Sequence, residues 1–259
     1  MRLLFIGDVV GRPGREGLAA AMPGLRGERM PDLVVVNGEN AAGGVGVTAE
    51  TADEIFAAGA NVITLGNHTY RHRDAYPYLE SERRIIRPAN FAESNPGRGH
   101  AIVEAAGMRV CVINLSGGMH LQVERNPFTA IDDLLGSLAG GADAFVVDFH
   151  AELTSEKVAM GWHLDGRVAA VLGTHTHVPT ADARVLPGGT AHISDVGMTG
   201  SRAGVIGVRR QQALEAFRTQ MPVRFDTADE DVWLMGVAVE IGDDGLSRGI
   251  EQILVPVTS

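Results

Sequence analysis

Two histidines stand one residue apart just after a short apolar run, in the stretch VLGTHTHVPT from Val171 to Thr180. Neutral imidazole is a common ligand for transition metals. In an extended segment, residues i and i+2 point to the same side of the chain. We therefore expect His175 and His177 to face one site together. Taken alone, the pair is equally consistent with two structural, hydrogen-bonded histidines.

Other apolar runs end in polar residues of the same chemical kind. These ends are Gly7-Asp8, Asn37-Gly38-Glu39-Asn40, Gly66-Asn67-His68 and the His150 that follows AFVVDF. Each one alone reads as a turn or cap residue. In open α/β sheets, ligands bind beyond the carboxyl ends of the strands, and five such ends together favour a shared metal site. Carboxylate, amide and imidazole groups without a thiolate suit Mn, Fe or Zn.

The apolar runs themselves predict the strands that would carry these groups. Several, such as LLFI, LVVV and AFVV, are almost continuously apolar, as in strands buried on both faces. The predicted strands are Arg2–Gly7, Leu33–Asn37, Asn61–Leu65, Arg109–Asn114, Ala144–Phe149, Ala169–Leu172, Thr190–Ser194, Val232–Ile241 and Ile250–Val257.

Helix signals lie between several of these strands. A capping-box pattern at 51–54 predicts a helix that ends near Gly59, and Thr154 is expected to cap a helix over 155–162. The turn at 242–245 predicts an antiparallel hairpin of the last two strands. Alternating strands and helices indicate an α/β protein. We expect one domain over residues 1–259, with insertions around 70–99 and 116–132 that shape a pocket.

Composition narrows the classes of function. The formal net charge is −10, which argues against a broad grip on nucleic acid because such a surface must be basic. Cys111 is the single cysteine, so no internal disulfide forms, and it is expected to pack as a small hydrophobe. Asp8 interrupts the first apolar run too early for a signal peptide or a membrane span. These features predict a cytoplasmic protein that does not insert in membranes.

The polar strand ends also carry a family resemblance. Asp8, Gly66-Asn67-His68, His150 and the 173–177 segment GTHTH follow, in order, the pattern D-x-H, G-D-x-x-D, G-N-H-[DE], H and G-H-x-H. The chain thus resembles the calcineurin-like metallophosphoesterases. It departs from them where Val10 and Thr174 replace histidines and where NGEN replaces the segment with a bridging aspartate. With GDVVG, NGEN, GNHT, DFHAE, GTHTHVPT and DVGMTG, it resembles the YmdB-type branch over nearly its full length.

This resemblance implies a fold, a site and a reaction. The fold would be a four-layer α/β-β/α sandwich. The site would hold two divalent or mixed-valence ions, Fe or Mn first and Zn as an alternative, with Glu39 as the bridge. One ion would be held by Asp8, Glu39, Asn40 and His177, and the other by Glu39, Asn67, His150 and His175. The reaction would be hydrolysis of 2′,3′- or 3′,5′-cyclic nucleotides, or other small phosphodiesters, by hydroxide held between the ions. His68 would be the general acid.

Two other functions remain open at this stage. A phosphomonoesterase or nucleotidase needs extra positive charge, for which Arg12, Arg71 and Arg202 are available. A regulatory protein that binds RNA or a protein partner could retain the metal site. His72 and His120 are read as solvated or pocket-lining, and the segment Ser194–Gly200 as a Gly-rich turn that could shape the site. The sequence leaves a homo-oligomer open.

Competing catalytic motifs have little support in the sequence. The segment Gly11-Arg-Pro-Gly14 lacks the G-x-G-x-x-G spacing, and Lys157, the only lysine, follows Glu156 and so does not belong to a Walker A loop. Neither Ser116 nor Ser201 stands in a G-x-S-x-G elbow. Dinucleotide binding through a Gly-rich loop, P-loop chemistry and nucleophilic serine catalysis therefore lack sequence support.

Overall fold

The continuous apolar runs form the central strands of two stacked sheets in the computed structural model, which describes residues 1–257. The strands are β1 (Arg2–Ile6), β2 (Asp8–Val9), β3 (Leu33–Asn37), β4 (Val62–Thr64), β5 (Ile85–Ile86), β6 (His100–Ala105), β7 (Met108–Ser116), β8 (Ala144–His150), β9 (Ala170–Thr174), β10 (Arg184–Val185), β11 (Ala191–Ile193), β12 (Met198–Ser201), β13 (Val232–Ile241) and β14 (Ser247–Pro256). The helices are α1 (Gly11–Arg29), α2 (Ala49–Ala57), α3 (Tyr76–Ser81), α4 (Pro127–Ser137), α5 (Thr154–His163) and α6 (Arg210–Thr219), with a 3₁₀ turn at Arg73–Ala75.

Strand order places the carboxyl ends of the site-bearing strands side by side. The first sheet runs β2-β12-β13-β1-β3-β4-β5, with β14 paired to β13, and the second runs β10-β11-β9-β8-β7-β6. In the first sheet β1, β3 and β4 are parallel neighbours. In the second, β7, β8 and β9 are parallel neighbours. Parallel neighbours end at the same edge, so each sheet delivers several loops to one rim.

Alternation along the strands explains the layers. Leu3 and Phe5 of β1 pack into the core between the two sheets, whereas Leu4 and Ile6 pack in a separate core with Leu18 of α1. A third core joins strands β7–β9 to helices α4 and α5. Because side chains alternate between faces, a strand that is apolar throughout has a helix layer on one side and a sheet on the other. The result is the four-layer α/β-β/α sandwich that the resemblance implied.

The strand predictions agree with the structure to within a few residues, and β13 and β14 form the expected antiparallel hairpin.

Cys111 is buried in a core, and burial raises the pKa of its thiol to about 12. Among residues 1–257, no helix is long and apolar enough to cross a membrane. The predicted domain over 1–259 reaches two residues outside the described range and stays a prediction.

Three local predictions were wrong. Helix α2 begins after Thr48, whose side chain exchanges hydrogen bonds with Thr51, so Thr51 is the third helical residue and not the cap. Thr154 is the first residue of α5, and no side chain within residues 1–257 caps that helix. Met198–Ser201 is a strand, parallel to β2, and not a Gly-rich turn. Its pairing with Asp8–Val9 is long-range, which a local reading of glycines does not reveal.

The sequence analysis also missed whole elements. Helix α1 went unrecognised although it covers the first sheet, because its buried positions include Gly11, Pro13, Gly14 and Gly17, which are poor helix signals. Strand β6, the antiparallel partner of β7, alternates only weakly between buried and exposed residues.

Candidate metal centre

Two buried carboxylates lie at the rim where the two sheets meet, and each is close to histidines. Asp8 opens β2, and Glu39 lies in the loop after β3; both are fully buried. The Asp8 Oδ2 atom accepts from the backbone N–H of His175 at 3.2 Å, and Glu39 Oε2 accepts from the N–H of His68 at 3.1 Å. The other oxygen of each carboxylate, Oδ1 of Asp8 and Oε1 of Glu39, makes no hydrogen bond among residues 1–257.

His150 comes to the same place from the second sheet, as the last residue of β8. Its Nε2 atom lies 3.1 Å from Glu39 Oε1, 3.0 Å from Asn67 Oδ1 and 3.0 Å from His175 Nδ1. Ligand atoms of Glu39, His150 and His175 all lie within 4.8 Å of one another. A single metal ion could therefore contact all three residues.

His175 and His177 reach this rim differently from the prediction. The segment is not extended, because both residues have positive φ angles, 94° and 64°. His175 turns toward His150, whereas His177 turns toward Asp8, with Nε2 3.6 Å from Oδ1. The expectation that i,i+2 spacing puts both rings on one side was wrong, although both rings do reach the cluster. Positive φ costs about 1–3 kcal/mol at a non-Gly residue and concentrates at functional sites.

Asn40 and His68 close the remaining side of the cluster. Asn40 Nδ2 lies 3.1 Å from His177 Nε2, and Asn40 Oδ1 lies 2.9 Å from His68 Nδ1. His68 Nδ1 is also 3.2 Å from Glu39 Oε1. The structure thus brings together the eight predicted side chains, which are Asp8, Glu39, Asn40, Asn67, His68, His150, His175 and His177.

The charges of these groups are strongly interdependent. Burial opposes ionisation of both carboxylates, but His177 lowers the pKa of Asp8 and His150 lowers that of Glu39 well below its usual value. Burial likewise lowers the pKa of His177, yet its interaction with the Asp8 carboxylate outweighs this and raises it to about 9. Burial together with the charge of His150 lowers the pKa of His175 to about 4.

A buried aspartate holds His150 through a threonine. Thr174 Oγ1 donates to Asp148 Oδ1 at 2.7 Å and lies 2.9 Å from His150 Nδ1. Asp148 also accepts from Asn37 at 2.9 Å and from Thr64. Burial raises the pKa of Asp148 to about 6 despite these hydrogen bonds. Because the Thr174 hydroxyl proton goes to Asp148, Thr174 accepts from Nδ1 of His150, which leaves Nε2 as the coordinating nitrogen.

Other partners fix the remaining imidazoles. Glu152 Oε2 lies 2.9 Å from His175 Nε2, so the Nδ1 atom of His175 is the one that faces the cluster. His177 Nδ1 donates to the Ile206 carbonyl at 2.9 Å, so its Nε2 atom faces inward. The sequence analysis did not identify Asp148, Glu152 or Ile206 as support for the site. Of these, Asp148 offered a signal, as a carboxylate inside an apolar strand.

The donor set fits transition-metal ions. Two carboxylate oxygens are buried without a hydrogen bond and point among the imidazole nitrogens of three histidines, and an unpaired buried charge is stable only with a compensating partner. Gly66 adds a spatial constraint, because a β-carbon there would collide with Glu39 Oε2 and the His150 ring. Glycine at this position lets the Glu39 carboxylate and the His150 ring pack directly against the backbone.

Four layers with such a cluster at the strand ends define a protein of the metallophosphoesterase class. The family model described as "YmdB-like protein" matches residues 4–253. The chain therefore belongs to the YmdB-like family.

One curated relative and two solved structures match nearly the whole chain. A 2′,3′-cyclic-nucleotide 2′-phosphodiesterase of Bacillus subtilis is 45% identical over 98% of this chain and 97% of its own length. The crystal structure of a hypothetical protein from Thermus thermophilus has a TM-score of 0.94 at 38% identity and covers 100% of both chains. That of a novel phosphatase from Mycoplasma pneumoniae has a TM-score of 0.92 at 33% identity and covers 99% of this chain and 93% of its own.

Proposed function

We propose that this protein is a metal-dependent phosphodiesterase that hydrolyses cyclic nucleotides, with 2′,3′-cyclic nucleotides as the first substrates to test. The observation that carries the proposal is the pair of buried oxygens, Asp8 Oδ1 and Glu39 Oε1, that lack hydrogen bonds among residues 1–257 and lie among imidazole nitrogens. The name of the Bacillus relative supports the substrate class. Hydrolysis of 3′,5′-cyclic nucleotides is a broader version of the same proposal.

In this proposal two metal ions are held by the predicted ligands. Asp8, Asn40 and His177 would hold one ion, Asn67, His150 and His175 would hold the other, and Glu39 would serve both. When bound, such ions ionise a water molecule near neutral pH and stabilise the charge on the phosphoryl oxygens. Fe and Mn suit the oxygen and nitrogen donors, and Zn accepts them too.

His68 is the residue proposed to move a proton. Its Nδ1 atom lies 2.9 Å from Asn40 Oδ1, so one side of the ring is held by the protein. The Nε2 atom makes no hydrogen bond to residues 1–257, and about a third of the side chain is exposed. Protonated at Nε2, His68 can donate to the departing alkoxide oxygen. The Asn40 contact fixes the plane of the ring for this transfer.

Local charge explains how an acidic protein attracts a phosphodiester. The chain carries a net charge of −10. Within the cluster, however, only Asp8 and Glu39 are anionic ligands, so two divalent ions would leave the site positive. A small anion needs only this local field and no basic surface. The acidic balance supports a small substrate over an extended nucleic acid.

Phosphomonoester hydrolysis is the second candidate, and Arg202 favours it. Arg202 lies in the wall of a cavity that also includes His177, stacked 4.3 Å from the Trp233 ring centre. Its guanidinium is the additional cation that a dianionic monoester needs. Of the other two arginines considered, Arg12 pairs instead with Glu16 on an exposed face of α1.

The test is a metal analysis followed by a substrate panel. Protein purified without added metal is measured for Fe, Mn and Zn, and then assayed with 2′,3′-cyclic AMP, 3′,5′-cyclic AMP, bis-p-nitrophenyl phosphate and p-nitrophenyl phosphate. We expect about two metals per chain and turnover of the diesters. Turnover restricted to the monoester would favour the second candidate. A metal-loaded but inert protein would overturn both.

A further inference from the structure

A cavity of about 570 Å³ opens beside the candidate metal centre. Asn67 is in its wall, and Asn67 Oδ1 lies 3.0 Å from His150 Nε2. The other wall residues come from three separate segments between strands. They are Tyr70, Phe91, Ala92, Asn95 and the run 120–124. A substrate whose phosphate lies at the cluster can therefore extend past Asn67 into this cavity, which is of the size that holds small ligands.

One side of the cavity is aromatic and held in place by the protein. The rings of Tyr70 and Phe91 lie with centres 6.1 Å apart, and Tyr76 packs edge-on against Tyr70 at 5.5 Å. The Tyr70 hydroxyl donates to the Pro96 carbonyl at 2.8 Å, so the ring does not rotate freely. Flat heterocycles stack on such rings, and a ring that is already ordered loses little entropy on binding.

The same cavity offers polar groups that are not used elsewhere. The side-chain amides of Asn95 and Gln122 and the imidazole of His120 make no hydrogen bond to other groups of residues 1–257. Each of these groups both donates and accepts hydrogen bonds, as the edge of a nucleobase does. The Glu124 carboxylate only accepts, which suits an exocyclic amino group. None of the wall residues is a lysine or arginine, so the cavity does not attract the phosphate itself.

We propose that this cavity is the subsite for the nucleobase, with the base stacked on Phe91 and Tyr70 and its edge against Asn95 and Gln122. The inference rests on the proposed function, since it assumes a cyclic nucleotide whose phosphate lies at the cluster. It goes beyond that function by assigning residues outside the metal centre to substrate choice.

A second cavity beside the metal centre is a less suitable site for the base. It has a volume of about 360 Å³ and lies on the His177 side of the centre. Its wall is largely aliphatic, from Val178, Met198 and Leu254, and its Trp233 ring is covered by Arg202 at 4.3 Å. A base there would have to displace the guanidinium to stack. The cavity beside Asn67 requires no such rearrangement.

The experiment compares two cyclic phosphodiesters that differ in the base. 2′,3′-Cyclic AMP carries an adenine, and glycerol 1,2-cyclic phosphate has the same five-membered ring and no base. For Phe91→Ala we expect KM for the nucleotide to rise by about tenfold, the usual loss for a stacked base, with kinetics on the glycerol compound unchanged. For the double variant Asn95→Ala/Gln122→Ala, at less buried positions, we expect a rise of about fivefold.

Trp233→Ala is the matched control, because it removes the aromatic ring of the other cavity. We expect it to leave the ratio of the two kcat/KM values unchanged. The relevant ratio is kcat/KM for 2′,3′-cyclic AMP divided by kcat/KM for glycerol 1,2-cyclic phosphate. The inference is overturned if this ratio is unchanged in both Phe91→Ala and Asn95→Ala/Gln122→Ala, or if it falls in Trp233→Ala instead. The double variant keeps the test decisive if Phe91→Ala does not fold.

A binding measurement separates this inference from the proposed function. Adenosine 3′-monophosphate and glycerol 3-phosphate are titrated calorimetrically into the wild type and the double variant. If the wild type hydrolyses neither cyclic ester, the proposed function fails. The subsite is still supported if the nucleotide binds more tightly than glycerol phosphate and the double variant abolishes the difference. Equal binding of both ligands to the wild type overturns the subsite.

Discussion

Lys157 Nζ lies 2.8 Å from Asp195 Oδ2 at the back of the histidine turn, and both side chains are about 1% exposed. Lys157 is the only lysine of the chain. Asp195 Oδ2 also accepts from the backbone N–H of Thr176 at 3.1 Å and from its hydroxyl at 2.7 Å. The ion pair therefore holds the one residue that separates His175 from His177. It counters the strain of the two positive φ angles.

Lys157→Met should destabilise the protein by about 3–5 kcal/mol, because it leaves Asp195 buried without its cation. We also expect weaker metal retention, since Thr176 loses one of its partners. Urea unfolding and metal analysis measure the two effects. Arg248→Met is the control, because it breaks an exposed pair with Asp244 and should cost less than about 1 kcal/mol. Similar costs for the two variants would contradict the anchoring role of Lys157.

Glu39→Gln and His68→Ala should separate metal binding from proton transfer. Glu39→Gln removes the negative charge of the proposed shared ligand, so metal content and turnover should both be lost. His68→Ala leaves all seven proposed ligands in place, so metal content should persist while kcat falls by about 10²–10⁴. Metal analysis and steady-state kinetics on both variants test this division. Equal metal loss in the two variants would show that His68 is instead part of the metal site.

Metal uptake should release a proton from His177. In the metal-free protein Asp8 raises the pKa of His177 to about 9, so the ring is protonated at pH 7, whereas a metal ligand must be neutral. Affinity should therefore rise with pH up to about 9. Calorimetry in buffers with different ionisation enthalpies measures the released protons. Binding that is independent of pH between 6 and 9 would argue against His177 as a ligand.

The same pKa shift predicts how metal-free stability depends on pH. The folded pKa of His177 is raised above its ordinary value of about 6.5. Its contribution to stability is therefore complete below about pH 6.5 and is lost as the pH rises through about 9. Unfolding free energies across this range measure the effect. In Asp8→Asn the decline should be absent, because the charge that raises the pKa is gone.

Thr174→Val should weaken metal binding without unfolding the protein. The substitution keeps the shape of the side chain and removes the hydroxyl between Asp148 and His150. We expect metal affinity to fall about 10–100-fold, the usual effect of removing a partner that orients a ligand. Thr174→Ser keeps the hydroxyl and should bind metal nearly as the wild type does. Competition with a chelator measures both affinities.

Much of the candidate site was predictable because polar side chains directly follow buried strands. Asp8, Glu39 and His150 each come at or just after the end of an apolar run, and parallel pairing brings such ends together. The supporting residues were not predictable in this way. Asp148 joins residues from β3, β4 and β9, and Lys157 lies 38 residues from its partner Asp195. A carboxylate inside an apolar strand marks Asp148 as unusual, but its partners, like that of Lys157, are set by long-range packing and have no local signal.

By itself, the sequence determined the alternation of strands and helices and the chemical identity of the groups at the strand ends. Apolar runs and the polar residues that follow them are local properties of the sequence, so they can be recognised without knowing the tertiary structure. Only the tertiary structure decided that Asp8 and Glu39 come from one sheet and His150 and His175 from the other. It also decided that His175 and His177 turn in different directions. These outcomes depend on how the two sheets stack and on long-range hydrogen bonds, which no short stretch of sequence encodes.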